Sequence, residues 1–162
     1  KGRLSEADIM RVDGEGRSLD GRRPSAETLL HCQIYRRLAN AQAVLHPHSV
    51  SATVLSRVVR ERLVLQGYEL LKAFPGIDTH DCSLAVPIFP NDQDIARLAA
   101  AVDDWMDRSP QVPGYLIAGH GFYTWGEDVA DALRHVEALD FLFECEMRIR
   151  ELRHHERLDH LS

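Results

Sequence analysis

Residues 43–49 read AVLHPHS, and residues 115–121 read YLIAGHG. In both stretches an apolar run leads directly into histidine: His46 and His48 in the first, and His120, between two glycines, in the second. Such runs are typical of buried strands whose ends deliver polar side chains into a cleft. Residues two apart on a strand point to the same face, so His46 and His48 can both reach one ion at about 2.0–2.1 Å. The two stretches therefore predict a metal site with three histidine ligands and a coordination position left for substrate.

The His-x-His spacing is weak evidence by itself. With 9 histidines among 162 residues, chance supplies about half of one such pair. Two unrelated surface or core histidines remain the alternative to a shared metal ion. The charged tail, residues 151–162, contains His154, His155 and His160 and is typical of a solvated helix end, although a small metal-binding domain built on this tail is a further hypothesis.

The composition is that of one globular domain with a real core. The chain is 44% hydrophobic and 27% charged. With 25 acidic and 19 basic residues its net charge is −6, which disfavours binding to nucleic acid or an anionic membrane surface. Any anionic substrate must therefore be held by local groups.

The cysteines and the hydropathy pattern favour a cytoplasmic protein. Cys32, Cys82 and Cys145 are odd in number, widely spaced and without a Cys-x-x-Cys motif, which favours reduced thiols. No apolar run approaches the roughly 20 residues of a membrane span, and no segment resembles a signal peptide. Because the chain opens with Lys1 and not with methionine, we expect further residues upstream.

Strand and helix patterns alternate along the chain and predict a single α/β domain over residues 1–162. Pro87 lies inside one predicted strand, which should therefore be an edge strand or end there. We expect Ser49 or Ser51 to cap the second helix, and Asn91 or Asp92 to cap the helix that ends near Met106. The predicted strands are 7–12, the His46/His48 strand, 62–65, 84–89 and 115–118; the predicted helices are 24–40, about 50–58, 68–74, 92–106 and 127–153.

The same residues resemble the class II aldolase and adducin family, and within it the branch of methylthioribulose-1-phosphate dehydratases. The similarity covers nearly the whole chain. The motif Tyr-x-Trp-Gly after His120 and the helix that contains Glu69 are similar to the dehydratase branch. The matching stretches are 24–31 (PSAETLLH), 44–49 (VLHPHS), 66–72 (QGYELLK), 86–88 (VPI), 91–94 (NDQD), 119–126 (GHGFYTWG) and 137–143 (EALDFLF).

The resemblance implies a three-layer α/β/α domain with a central, mostly antiparallel sheet. It also implies one zinc ion held by His46, His48 and His120, with Glu69 as the catalytic acid/base. The implied reaction is dehydration of 5-methylthioribulose 1-phosphate to 2,3-diketo-5-methylthiopentyl 1-phosphate in methionine salvage. Zinc would polarise the ketone, and Glu69 would supply the proton for loss of the neighbouring hydroxyl.

We expect different environments for Glu69 and Glu27. Glu69 should lie in a pocket rimmed by Tyr68, Leu70 and Leu71, where burial raises its pKa; the alternative is an exposed carboxylate on an amphipathic helix. Glu27 matches a position that in sugar-phosphate aldolases carries a carboxylate near the metal. A helix-start glutamate favoured by the helix dipole is its other interpretation.

The resemblance also implies that the active site lies at a subunit interface of a cyclic homotetramer that binds a phosphorylated ketose. Family members carry an N-terminal section, with Gly, Ser and Thr residues that help to bind the phosphate, which these 162 residues do not include. We therefore expect an N-terminally incomplete domain. The alternatives are a sugar-phosphate aldolase or epimerase on the same zinc scaffold and a non-enzymatic, adducin-like interaction domain.

Overall fold

The structure is a computed structural model that describes residues 5–109 and 112–159. Four α-helices and five strands form the domain, with short 3-10 helices at Glu6–Asp8 and Glu69–Ala73. The α-helices are α1 (Thr28–Arg37), α2 (Val50–Val58), α3 (Ile95–Arg108) and α4 (Val129–Asp159). The strands are β1 (Ala43–Leu45), β2 (Arg62–Gln66), β3 (Ser83–Phe89), β4 (Gly114–Ile117) and β5 (Gly121–Gly126).

The five strands form one sheet in the order β1-β5-β4-β3-β2. Three of its four strand pairs are antiparallel, and only β3 and β4 are parallel. The predicted, mostly antiparallel sheet is therefore confirmed. β1 and β2 form its opposite edges, and β1 and β4 run in the same direction.

Helices cover both faces of the sheet, which gives the predicted three layers. On one face, Leu30 and Ile34 of α1 and Val102 of α3 pack against sheet residues such as Tyr123. On the other face, α2, α4 and the 3-10 helix Glu69–Ala73 enclose a second core. We refer to these as the α1/α3 face and the α2/α4 face. Their fully buried apolar side chains supply most of the stabilisation of the domain.

The predicted caps are partly correct. Ser49 caps α2, because its hydroxyl accepts a hydrogen bond from the Ala52 amide at 3.1 Å. The α3 cap is Asp94, not Asn91 or Asp92. Asp92 instead accepts a hydrogen bond from the Asp94 amide, so the helix begins later than predicted.

Three strand predictions are wrong. Residues 7–12 form no strand: Glu6–Asp8 is a 3-10 turn, and a single bridge joins Val12 to Ser18. The strand that contains Pro87 is not at the edge, since β3 pairs with both β2 and β4. Only the last two residues of β3, Ile88 and Phe89, pair with β4. Pro87 has no amide hydrogen, but it lies before this pairing begins, so no hydrogen bond to β4 is lost. β1 ends at Leu45, so the histidines of residues 46–48 lie in a loop and not on a strand.

The C-terminal helix is longer than predicted and continues to Asp159. His154 and His155 lie on its exposed end, as the tail pattern indicates, whereas His160 and Lys1 lie outside the described residues. Within the described ranges, the three cysteines are unpaired, and none of the helices offers the extended apolar stretch that a membrane span requires.

Candidate metal centre

Four side chains from three parts of the chain meet at one end of β1 and β4. His46 and His48 lie in the loop that follows β1, and His120 lies in the tight turn between β4 and β5. Glu27 directly precedes α1. Because β1 and β4 run in the same direction, their carboxyl ends bring the two histidine segments together.

One ligand atom from each of Glu27, His46, His48 and His120 lies within 4.8 Å of the others. Nε2 of His46 is 3.0 Å from Nε2 of His48 and 3.5 Å from Oε1 of Glu27. The same carboxylate oxygen is 3.1 Å from Nε2 of His120. Three imidazoles and one carboxylate are a donor set that divalent transition metals prefer. This set, the ligand cluster, can hold a metal ion.

The orientation of His46 suits a metal ligand. Its Nδ1 lies 2.9 Å from the carbonyl oxygen of Phe122, and because a carbonyl only accepts, Nδ1 is the donor. Nε2 therefore faces the cluster with its lone pair free. Burial, opposed by the Phe122 hydrogen bond and Glu27, lowers the pKa of His46 to about 4. Neutral imidazole is the form that binds metal.

The turn that carries His120 is fixed by α2. The hydroxyl of Thr53 donates to the carbonyl of His120 at 3.0 Å, and the amide of Gly119 donates to the hydroxyl of Ser56 at 3.0 Å. Nδ1 of His120 is buried and has no hydrogen-bond partner among the described residues. The backbone of the turn thus positions the His120 ring, and Nε2, the nitrogen that faces Glu27, is the one that can bind a metal ion.

Gly121 is required by the close approach of the two histidine loops. A Cβ at this position would lie 2.4 Å from the carbonyl oxygen of Pro47 and 3.0 Å from the His48 ring. Any larger residue would force the loops apart. Glycine beside His120 therefore permits a close approach of the two loops that no other residue allows.

Glu27 points towards the histidines. It occupies the N-cap position of α1, yet its side chain makes no capping hydrogen bond. Of the two interpretations of Glu27, the geometry favours a carboxylate at the metal over a helix-start residue.

Glu69 does not join the ligand cluster. Glu69 is the first residue of the 3-10 helix that follows edge strand β2 and packs on the α2/α4 face. His46 follows β1, the opposite edge strand, and lies on the α1/α3 face. The side chain of Glu69 is 69% exposed, pairs with Lys72, and lies 3.1 Å from Nδ1 of His80. The hydrogen bond from Lys72 lowers the pKa of Glu69. The expected apolar pocket and raised pKa are therefore wrong for this carboxylate within a single chain.

The sequence marks Tyr123 only as the first residue of the Tyr-x-Trp-Gly motif and assigns it no role beside the histidines. Its ring stacks on His46 with the centroids 4.1 Å apart and the planes 17° from parallel. Strand pairing explains this contact: β5 pairs antiparallel with β1, with Leu45 opposite Thr124, and continuing that register places Tyr123 beside His46. Because residues 121–126 were not predicted to be a strand, this neighbour was not identified.

Comparisons with known proteins agree with the fold and the motifs. Residues 1–147 match the family described as Class II Aldolase and Adducin N-terminal domain. Among solved structures, an L-fuculose 1-phosphate aldolase aligns with a TM-score of 0.72 and 21% identity, over 92% of this chain and 65% of that protein. An L-fuculose-1-phosphate aldolase from Thermus thermophilus has a TM-score of 0.70 and 23% identity, over 93% of this chain and 74% of that protein. At these identities the similarity establishes the fold alone.

Two curated relatives are much more similar in sequence. A methylthioribulose-1-phosphate dehydratase from Methylococcus capsulatus is 62% identical over 92% of this chain and 73% of its own length. The protein of the same name from Pseudomonas paraeruginosa is 58% identical over 94% of this chain and 75% of its own length. The chain belongs to the class II aldolase and adducin family, in the branch of the methylthioribulose-1-phosphate dehydratases.

Proposed function

We propose that this protein is a zinc-dependent lyase that dehydrates 5-methylthioribulose 1-phosphate. The observation that carries the proposal is the ligand cluster, in a chain 62% identical to a dehydratase with that substrate in its name. The substrate loses a proton from the carbon beside its ketone and the hydroxyl from the next carbon. Water leaves, and the enol that remains ketonises to 2,3-diketo-5-methylthiopentyl 1-phosphate as its hydroxyl proton moves to carbon. We assign this reaction to methionine salvage and the protein to the cytoplasm.

In this proposal His46, His48 and His120 hold one zinc ion per chain, and Glu27 is a further carboxylate that faces the ion. Imidazole nitrogen and carboxylate oxygen are common zinc ligands, and Nε2 of His46 already faces the cluster in its neutral form. When bound, the ion supplies Lewis acidity towards the ketone oxygen of the substrate.

Glu69 is proposed as the acid/base that moves the substrate protons. A carboxylate within hydrogen-bond reach of the reacting carbon and hydroxyl can take one proton and return it to the departing hydroxyl. Its contacts with Lys72 and His80 keep it ionised in the free chain, which is the form that accepts the first proton.

The location of Glu69 in the chain supports a role at the metal centre of a neighbouring subunit. Within one chain it lies on the face of the sheet opposite His46, beside the far edge strand. Its exposed side chain is available to a second subunit. We therefore propose that Glu69 of one subunit completes the metal centre of its neighbour in a cyclic homotetramer. Closed rings use one repeated, heterologous interface, so every site then receives one such glutamate.

Product analysis tests the proposed reaction. Zinc-loaded protein is incubated with 5-methylthioribulose 1-phosphate, and the products are identified by mass spectrometry and by diketone trapping. We expect a product lighter than the substrate by one water. Release of dihydroxyacetone phosphate would instead indicate an aldolase, because cleavage of the carbon–carbon bond gives that fragment.

A further inference from the structure

We propose that Tyr123 is a positioning residue of the metal centre, and that its aromatic ring holds His46 in the orientation that metal binding requires. The inference rests on the proposed metal site but adds a residue outside the ligand cluster. In this proposal the aromatic ring of Tyr123 positions His46, and the hydroxyl of Tyr123 is not needed for metal binding.

Tyr123 and His46 form part of a continuous stack. The Tyr123 ring lies against His46 at 4.1 Å and 17°, and on its other side Tyr115 stacks on Tyr123 at 4.9 Å and 16°. The edge of His31 contacts Tyr123 with the centroids 5.2 Å apart and the planes at 66°. Stacked aromatic rings at such separations attract each other beyond simple burial. The plane of His46 is therefore determined by a neighbour that is itself fixed.

The sheet makes this stack rigid. Tyr115 and Tyr123 are direct partners in the antiparallel pairing of β4 and β5, and both side chains are almost completely buried. Phe122, the residue before Tyr123, accepts the hydrogen bond from Nδ1 of His46. Two consecutive residues of β5 thus fix His46. The carbonyl of Phe122 determines that Nδ1 carries the proton, and the ring of Tyr123 determines the plane of the imidazole. Groups that orient a metal ligand in this way tune the affinity of the site.

The hydroxyl of Tyr123 has no comparable role. It is buried and has no hydrogen-bond partner among the described residues. Phenylalanine would keep the stacking surface while removing only an unpaired polar atom, which is not expected to cost stability.

The test compares Tyr123→Phe, Tyr123→Leu and Phe74→Leu with the unmodified protein. Phe74→Leu is the matched control, because it also replaces a buried aromatic ring, but in the core on the α2/α4 face. The zinc dissociation constant is measured by competition with a chromogenic chelator. The visible absorption of the Co²⁺-loaded protein reports the coordination geometry, and thermal unfolding reports the fold.

We expect Tyr123→Phe to bind zinc within about twofold of the unmodified protein and to keep the same Co²⁺ spectrum. Tyr123→Leu should bind zinc roughly 10–100-fold more weakly and change that spectrum. Phe74→Leu should lower the unfolding temperature and leave both metal readouts unchanged. If Tyr123→Leu does not fold, Tyr123→Met, whose flexible side chain fills the space without a ring, takes its place.

Unchanged zinc affinity and an unchanged Co²⁺ spectrum in the leucine or methionine variant would overturn the positioning role and leave the metal centre intact. Equal weakening in Tyr123→Phe and Tyr123→Leu would overturn it too, because the hydroxyl would then be the active part. Failure of the unmodified protein to bind zinc or Co²⁺ would instead overturn the metal centre itself, and the positioning role with it.

Discussion

Oε1 of Glu27 lies 3.1 Å from Nε2 of His120, although 92 residues of chain lie between the two. The same oxygen is 3.5 Å from Nε2 of His46. One carboxylate therefore faces two of the three imidazoles. A negative group in this position favours a cation at the centre of the cluster, which supports our proposal that Glu27 contributes to metal binding.

Replacing Glu27 by glutamine should weaken zinc binding. The amide keeps the size of the side chain but removes the charge, so we expect the zinc dissociation constant to rise at least roughly tenfold. Equilibrium competition with a chelator measures this change. Glu144→Gln, which alters an exposed carboxylate on α4, is the control. Equal zinc affinities in the two variants would remove Glu27 from the ligand set.

A single methyl group at Gly121 should disrupt the centre. In Gly121→Ala the new Cβ would lie 2.4 Å from the carbonyl oxygen of Pro47, which is backbone and has little freedom to move. We expect a loss of about 1–3 kcal/mol in the free energy of unfolding, together with weaker zinc binding. Urea unfolding and chelator competition measure the two effects. Gly14→Ala is the matched control, because a Cβ there meets no atom within 4 Å; wild-type behaviour of both variants would mean that the loops are not held as described.

Glu69→Gln should separate binding from turnover. If Glu69 only transfers protons, the variant keeps its fold and its zinc, and its kcat falls by roughly 10²–10⁴. Circular dichroism, metal analysis and steady-state kinetics give the three readouts. Glu144→Gln again serves as the control. A fully active Glu69→Gln protein would exclude this residue from the mechanism.

Mixed oligomers test whether Glu69 acts across subunits. Glu69→Gln and His120→Ala chains, each inactive alone, are co-expressed in equal amounts and purified together through two different affinity tags. If Glu69 serves a neighbouring site, random assembly makes about a quarter of all sites intact, because half of the sites have an intact histidine set and half of these meet a chain with an intact glutamate. Activity no higher than that of the separate variants would show that both residues act within one chain.

The sequence predicts the parts of the fold that depend on local pattern. The three histidines follow apolar runs, and Ser49 has the side chain that a helix cap requires, so both can be read from a short window. The aromatic residues and Thr124 of β5 favour a strand, but only four residues lie between its terminal glycines, so its local signal is short. Its identity depends on pairing with β1 and β4, which no local window contains.

The surroundings of the two glutamates could not be predicted for the same reason. Glu27 meets His120 only through the sheet, and Glu69 lies away from the cluster because β2 is the far edge strand. An apolar neighbour in sequence, such as Leu70, does not bury a carboxylate when that carboxylate points outward to Lys72 and His80. The hydrogen bond from Lys72, and not the apolar residues beside it, sets the direction of the Glu69 pKa shift.

The proposed zinc dependence of the dehydration is tested most directly by adding zinc back to metal-free protein. The protein is stripped of metal with a chelator, known amounts of Zn²⁺ are added back, and formation of the diketo phosphate from 5-methylthioribulose 1-phosphate is followed. We predict no turnover in the stripped protein and a linear rise in rate that ends at one zinc ion per chain. Full turnover without any metal would contradict the zinc-dependent reaction.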